Sequence, residues 1–150
     1  MIGIFDSGIG GLTVVREILR YLPQYPIIYF GDTAHLPYGT KGSAFVRKCS
    51  VKITQWLIKR GAKVIVVACH TSSAWASDLL KQKFKKTLIF EMITPVINEI
   101  IYLNSGDTQK IGIIGTPGTI KSKMYERKIL RKLPNLKIYA KPCPLFVPLI

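Results

Sequence analysis

The side chain best suited to chemistry in this sequence is the thiol of Cys69. It follows an apolar, β-branched run at residues 64–68, typical of a buried parallel strand, and polar residues from His70 to Ser73 then lead the chain out of the core. A thiol between a strand and a helix start lies at the positive end of the helix dipole, which favours the thiolate. Because an unperturbed cysteine has a pKa of about 8.5, a modest decrease would let Cys69 exchange a proton near neutrality. The alternative interpretation is a small buried apolar side chain.

Polar side chains also follow the other predicted strands, at the points where those strands end. Asp6 and Ser7 follow the first strand and Asp32 the second. Thr116 follows a later strand. The carboxyl ends of parallel strands meet at one edge of a sheet, and ligands bind there. Each side chain alone could be a helix cap, but their shared placement with Cys69 favours a functional site.

A glycine cluster comes directly after the first strand. Gly8, Gly10 and Gly11 do not match the dinucleotide-binding pattern GxGxxG, because its third glycine would fall on Thr13, and no Walker lysine follows. The pattern instead predicts a tight turn whose free N–H groups could hold a carboxylate.

The chain alternates short apolar runs with amphipathic segments, which is typical of a parallel sheet with crossover helices. We therefore predict an α/β fold, with a parallel-sheet domain and flanking helices plus the start of a second, pseudo-symmetric α/β domain. Strands are predicted at residues 2–5, 27–30, 64–68, 88–93, 111–116 and 136–140. Helices are predicted after Gly11, over 43–60, from about residue 72 and over 96–103. A further helix with a basic surface is predicted after 116, and a turn is predicted at 104–107.

Two of these helices have an apolar face that predicts how they pack. The first presents Leu12, Val15, Leu19 and Leu22. The second presents Val46, Cys49, Ile53, Trp56 and Leu57. Cys49 is therefore interpreted as a core residue, and His35, in the loop after the second strand, as a surface residue.

A short internal similarity supports two related halves. Residues 2–7 and 111–116 both form a strand, a polar turn and a helix start, with Gly3 matching Gly112. On this match, a counterpart of Cys69 would fall near position 178, beyond the 150 residues of the chain. We predict a first domain at 1–95 and a partial second domain at 96–150.

Composition narrows the classes of function. Cys49, Cys69 and Cys143 form no CxxC pair and have too few histidine neighbours to predict a metal site, so we expect free thiols. The net charge of +14 is spread over predicted helix surfaces, which makes nucleic acid an unlikely partner. No apolar run has the length of a membrane span, and the N-terminus lacks the features of a signal peptide. We expect a cytoplasmic protein with no membrane partner.

Several ordered blocks, which together cover essentially the whole chain, resemble a known family. They are Ile4-Phe5-Asp6-Ser7-Gly8-Ile9-Gly10-Gly11-Leu12, Tyr29-Phe30-Gly31-Asp32-Thr33, Pro37-Tyr38-Gly39, Val67-Ala68-Cys69-His70-Thr71, Ile114-Gly115-Thr116 with Thr119, and Cys143-Pro144 leading to Val147-Pro148-Leu149. As a set, these blocks resemble glutamate racemase, of the aspartate/glutamate racemase superfamily.

The resemblance implies interconversion of L- and D-glutamate without a cofactor, to supply D-glutamate for peptidoglycan. Two thiols on opposite faces of the substrate Cα would remove and return the proton. The match assigns Cys69 as one thiol, with Asp6 as its proton-relay partner, and gives Cys143 no catalytic role. It implies substrate contacts from Ser7, Pro37, Tyr38, Gly39, His70, Thr71, Thr116 and Thr119. A homodimer is left open.

Two departures from the family pattern qualify these expectations. His70 stands where the family has asparagine. A titratable ring there would either alter substrate contacts or the pKa of the thiol, or donate one of the same hydrogen bonds as the asparagine. The family's later Cys-Thr-His segment, with the second thiol, is not found in this sequence. An inactive fragment of a racemase is therefore one expectation. The alternatives are another racemase of the superfamily, acting on aspartate or hydantoin, and a non-catalytic basic fragment that binds a partner or nucleic acid.

Overall fold

A parallel four-stranded sheet forms the larger part of the fold, in a computed structural model that describes residues 1–104 and 109–149. Its strands are β1 (Ile2–Asp6), β2 (Ile27–Gly31), β3 (Val64–Val67) and β4 (Leu88–Glu91), in the order β2-β1-β3-β4. The chain moves outward from β1 to β2 and then crosses to β3 on the other side. The strand order therefore reverses beside β1, and a crevice opens at the carboxyl ends of β1 and β3.

Helices cover both faces of this sheet, as its apolar strands require. They are α1 (Leu12–Tyr21), α2 (Ser43–Lys59) and α3 (His70–Lys83). A further helix, α4 (Ile93–Leu103), follows β4. On one face, Phe5 and Val67 pack with Leu57 of α2 and Leu80 of α3. On the other face, a smaller cluster around Ile4 and Val66 contacts α1.

A second, two-stranded parallel sheet pairs β5 (Lys110–Gly115) with β6 (Lys137–Pro142). It is accompanied by the short helices α5 (Pro117–Lys121), α6 (Met124–Leu130) and α7 (Phe146–Leu149). Its core joins Ile93 and Ile97 of α4 to Ile129 of α6, and it includes Ala74 of α3. The second unit therefore packs directly against the helix that follows Cys69.

The predicted α/β fold is confirmed, with differences at element ends. The strand predicted at 88–93 ends at Glu91, because this carboxylate accepts hydrogen bonds from the N–H groups of Ile93 and Thr94 and so begins α4 early. The helix predicted from residue 72 begins at His70. The basic helix after 116 is two helices, separated near Lys123, whose φ is 52°. The turn predicted at 104–107 lies, after Asn104, outside the described residues.

The predicted packing face of α1 is wrong at three of its four positions. Leu12, Leu19 and Leu22 are 49%, 47% and 41% exposed. The helix instead contacts the sheet through Val14, Val15 and Ile18. Both sets are consistent with helical periodicity and share Val15, and the sheet covers only one of them.

The remaining structural expectations have mixed outcomes. The three cysteines are free thiols, as predicted, but Cys49 and Trp56 are only half-buried. Within the described residues, no helix is long and apolar enough to cross a membrane. The division of the chain at residue 95 stays a prediction.

Candidate active site

A cavity of about 480 Å³ opens at the carboxyl ends of β1 and β3, at the crevice where the strand order reverses. Nine of the ten predicted site residues line it: Asp6, Ser7, Pro37, Tyr38, Gly39, Cys69, His70, Thr71 and Thr116. The tenth, Thr119, lies behind this wall and contacts two of its threonines. The structure therefore brings together side chains from four separate stretches of sequence, and their functional roles stay predictions.

The Cys69 thiol lies at the N-cap of α3. Its Sγ accepts a hydrogen bond from the Ser72 N–H at 3.4 Å and donates to Ser7 Oγ at 3.5 Å. Burial, together with the negative charge of Asp6, raises the pKa of the thiol, and its hydrogen bonds with Ser7 and Ser72 lower it by less. The expectation that the helix start would favour the thiolate is therefore wrong for the free site, because desolvation outweighs the helix N–H groups.

Asp6 occupies the turn that the glycine cluster forms. Its Oδ2 accepts hydrogen bonds from the N–H groups of Gly8, at 3.0 Å, and Gly11, at 3.3 Å. A Cβ at Gly11 would lie only 2.7 Å from Asp6 Cβ, so the close approach requires glycine there. The predicted carboxylate-binding turn thus binds the chain's own carboxylate and holds it beside the thiol.

Tyr29 supports this turn from the neighbouring strand. Its hydroxyl donates a hydrogen bond to the Gly8 carbonyl at 2.8 Å. Burial, with the charges of Asp6 and Cys69, raises the pKa of Tyr29 to about 12. Tyr29 therefore remains a neutral donor at physiological pH.

Three threonine hydroxyls form a cluster at the edge of the cavity, which Thr71 and Thr116 line. Thr71 Oγ1 lies 2.9 Å from Thr116 Oγ1 and 3.4 Å from Thr119 Oγ1, and the last two oxygens are 3.0 Å apart. Thr116 also caps α5 by accepting a hydrogen bond from the Thr119 N–H. The cluster joins the start of α3 to the end of β5 and presents donors to the cavity.

The loop after β2 closes a third side of the cavity. Tyr38 is buried, and its hydroxyl donates to Asp32 Oδ2 at 2.5 Å. Burial and this hydrogen bond raise the pKa of Tyr38, so it stays protonated. Gly39 lies against the second unit, because a Cβ there would come within 2.5 Å of the Thr116 side chain. The loop therefore fits tightly between the two sheets.

His70 lines the cavity next to the thiol and contacts α6. Its Nδ1 is 3.0 Å from the Tyr125 hydroxyl, and the two rings are stacked. Burial lowers the pKa of His70, while the charges of Glu91 and Asp6 oppose this decrease. Burial also raises the pKa of Tyr125 to about 12. At neutral pH the pair is therefore uncharged, with the Tyr125 hydroxyl able to donate to His70.

Comparison with known proteins agrees with this geometry. A glutamate racemase of Geobacter metallireducens is 45% identical over 148 residues, which are 99% of this chain and 54% of that protein. The crystal structure of a Francisella tularensis glutamate racemase with D-glutamate superposes with a TM-score of 0.91 at 40% identity, over 99% of this chain and 54% of the other. This chain is similar to the N-terminal portion of glutamate racemases. No family model matches it.

The glutamate racemases it matches are about twice as long as this chain, which spans about half of each. The Escherichia coli glutamate racemase in complex with L-glutamate and the activator UDP-MurNAc-ala superposes with a TM-score of 0.82 at 30% identity, over 99% of this chain and 55% of the other. These matches lend no support to the aspartate or hydantoin alternatives, or to a basic binding fragment.

Sequence reasoning missed part of the cavity wall. Thr13 and Val14, on the first turn of α1, follow the glycine turn closely enough that a helix start at the sheet edge could have indicated them. Met92 and Val147 also line the cavity. No local signal marks Met92, whereas Val147 lies in a block that carries the resemblance to glutamate racemases.

Three side chains with metal-binding atoms lie close together next to the loop that carries Tyr38. Asp32, His35 and Cys49 bring a carboxylate, an imidazole and a thiol within 4.8 Å of one another. The expectation that His35 is a plain surface residue is therefore incomplete, because its Nδ1 is 2.8 Å from Asp32 Oδ1.

Proposed function

We propose that this chain supplies the Cys69 side of the active site of a glutamate racemase. The observation that carries the proposal is one cavity lined by a thiol, a carboxylate and two threonine hydroxyls. In this proposal, Cys69 exchanges the Cα proton of glutamate. The similarity to glutamate racemases whose structures hold D- or L-glutamate supports glutamate as the substrate.

Substrate binding would bring a positive charge next to the Cys69 thiol. Burial and Asp6 keep Cys69 protonated in the free site. The ammonium group of glutamate, placed between Asp6 and the thiol, would favour the thiolate and lower its pKa. The base would then form only when substrate is bound, and Asp6 would be its proton-relay partner.

The substrate's two carboxylates need hydrogen-bond donors in the cavity. Thr71 and Thr116 present hydroxyls there, with Thr119 orienting them from behind. The Ser7 hydroxyl lies beside the thiol. The loop of Pro37, Tyr38 and Gly39 also lines the cavity and would exclude water from that part of it. These contacts, with His70, would stabilise the negative charge that develops at Cα.

Racemisation also requires an acid on the opposite face of Cα. Among the described residues, Cys69 is the cysteine that lines the cavity, whereas Cys49 and Cys143 lie outside it. We therefore propose that the chain by itself exchanges the α-proton of one glutamate enantiomer without inverting it. Full interconversion would need the second thiol of a complete racemase.

Deuterium incorporation at Cα tests this proposal. Each glutamate enantiomer is incubated with the chain in heavy water, and loss of the α-proton signal is followed by NMR. We expect exchange with one enantiomer, abolished in Cys69→Ser and retained in Cys143→Ser. Absence of exchange in the unsubstituted chain would rule out catalysis by it, and equal exchange in Cys69→Ser would exclude the thiol as the base.

The wider role follows from the same proposal. We infer a cytoplasmic enzyme that supplies D-glutamate for peptidoglycan, with glutamate as its small-molecule partner and with neither nucleic acid nor a membrane as a partner. No cofactor is needed in this scheme. A homodimer would be detected as a concentration-dependent mass in analytical ultracentrifugation.

A further inference from the structure

We propose that Asp32, His35 and Cys49 form a binding site for a divalent transition-metal ion of the zinc class. The residues come from the loop after β2 and from α2, and their ligand atoms lie within 4.8 Å of one another. Carboxylate oxygen, imidazole nitrogen and thiolate sulfur are the ligands that Zn²⁺ takes in proteins. The site lies outside the racemase cavity residues and does not depend on the proposed activity.

The side chains are already turned toward a common point. His35 Nδ1 is 2.8 and 3.0 Å from the two Asp32 oxygens, and the ring packs edge-on against Phe45 with centroids 5.5 Å apart. Tetrahedral zinc, with bonds of 2.0–2.3 Å, places its ligand atoms about 3.3–3.8 Å apart. Side-chain movements of about 1 Å would therefore complete three ligand bonds. Solvent would take the fourth position.

Burial of the three groups suits a bound ion. Asp32 is buried, Cys49 is half-buried and His35 is exposed, so an ion can enter past the imidazole. The Asp32–His35 contact by itself is that of an ordinary hydrogen-bonded pair. The Cys49 thiol, which hydrogen-bonds to the Tyr38 hydroxyl beside this pair, supplies the third ligand that a zinc ion needs.

Metal binding at this point would act on the cavity through Tyr38. Asp32 is the acceptor for the Tyr38 hydroxyl, and Tyr38 lines the cavity. An ion held by Asp32, His35 and Cys49 would tie the loop between β2 and α2 to the body of α2. We therefore expect the metal to restrain the segment that carries Pro37, Tyr38 and Gly39.

Zinc and cobalt titrations of the untagged chain test the site. Calorimetry should show one Zn²⁺ per chain, and Co²⁺ should give a thiolate charge-transfer band. Cys49→Ser and His35→Ala should each weaken Zn²⁺ binding by about tenfold or more, while Cys143→Ser and Cys69→Ser bind like the parent. Binding should also weaken as the pH falls, because the ligands must be deprotonated.

Three outcomes would overturn the proposed zinc site. Lack of Zn²⁺ binding by the parent would do so, as would unchanged affinity in Cys49→Ser and His35→Ala. Loss of binding in Cys69→Ser would assign the ion to the cavity thiol instead. Circular dichroism checks that the variants fold. His35→Ala should disturb the fold less than Cys49→Ser, because His35 is exposed and Cys49 is half-buried. Zn²⁺ should slow amide exchange over residues 32–40 in the parent alone; unchanged exchange there would refute the effect on the loop.

Discussion

The pairing of Asp6 with Cys69 sets the chemistry of the candidate site at the scale of single residues. The carboxylate is fixed by the N–H groups of Gly8 and Gly11, and its charge raises the pKa of the buried thiol. In the free site, the negative charge of Asp6 disfavours the thiolate form of Cys69. It becomes useful when a substrate ammonium enters between the two, because the same charge then attracts that ammonium.

Substitution Asp6→Asn separates these two effects. Asparagine keeps an oxygen acceptor for the glycine turn but removes the charge, so the pKa of Cys69 should fall and its alkylation by iodoacetamide near pH 7 should become several-fold faster. Proton exchange at glutamate Cα should decrease in the same variant. The alkylation rate is measured with Cys49 and Cys143 replaced by serine, and with exposed Asp78→Asn as the matched control. A slower or unchanged rate in Asp6→Asn would contradict this electrostatic account.

At the scale of elements, Glu91 determines where β4 ends and α4 begins. Its buried carboxylate accepts hydrogen bonds from the Ile93 and Thr94 N–H groups and the Thr94 hydroxyl, and it pairs with Lys128 of α6 at 3.3 Å. Burial acts to raise the pKa of Glu91, but these bonds and the lysine charge outweigh it and lower the pKa. One side chain thus joins the first sheet to the second unit.

Substitution Glu91→Gln should cost about 1–3 kcal/mol in the free energy of unfolding near pH 7, because hydrogen bonds to a charged acceptor are lost. A folded-state pKa below the unfolded value contributes stability above the unfolded pKa, and that contribution is lost as the pH falls through the folded pKa. The difference between parent and variant should therefore shrink below about pH 4. Urea denaturation of the parent and of Glu91→Gln, near pH 7 and below about pH 4, measures this difference in the free energy of unfolding.

Glu17, whose side chain is 46% exposed, offers a matched control for this prediction. It pairs with Arg16 and Arg20 on the surface of α1, where ion pairs contribute little. Glu17→Gln should change the free energy of unfolding by less than about 0.5 kcal/mol. A pH-independent loss of stability in Glu91→Gln would show that the carboxylate's charge is not what matters.

At the scale of the whole molecule, the described residues form a core against one face of the second sheet. Ile111, Ile113 and Ile138 pack into its core. On the opposite face, Ile114 and Tyr139 are 64% and 62% exposed. Apolar side chains on an open two-stranded sheet favour contacts with other molecules.

Substitution Tyr139→Lys should reduce self-association without lowering thermal stability, because the side chain contacts mostly solvent. Sedimentation velocity over a range of concentrations, combined with a melting curve, checks this. Tyr102→Lys, on α4 at a site 83% exposed, is the control for the added charge. An equal effect of both substitutions would assign the change to net charge and not to the β5–β6 face.

Local sequence patterns were sufficient for much of this protein. Continuous β-branched runs predict the buried strands, because a parallel sheet is covered on both faces. Polar residues at the strand ends predict a shared site, because parallel strands end at one edge of a sheet. Cys69, Asp6, Ser7 and Thr116 follow from this argument, and all four line the cavity. Asp32 follows from it too, but it lies outside the cavity lining and accepts a hydrogen bond from Tyr38 instead.

Only the tertiary structure decided the features that depend on neighbours distant in sequence. Helical periodicity allows two faces of α1, and the sheet selects the one with Val14 and Ile18. The direction of the Cys69 pKa shift depends on burial and on Asp6, 63 positions away in the sequence, which together outweigh the local helix start. The approach of Cys49 to Asp32 and His35 likewise requires α2 to fold back on the loop. Sequence therefore determined which groups are available for chemistry, and the fold determined their charge states and partners, because desolvation and Coulomb interactions depend on distance in space.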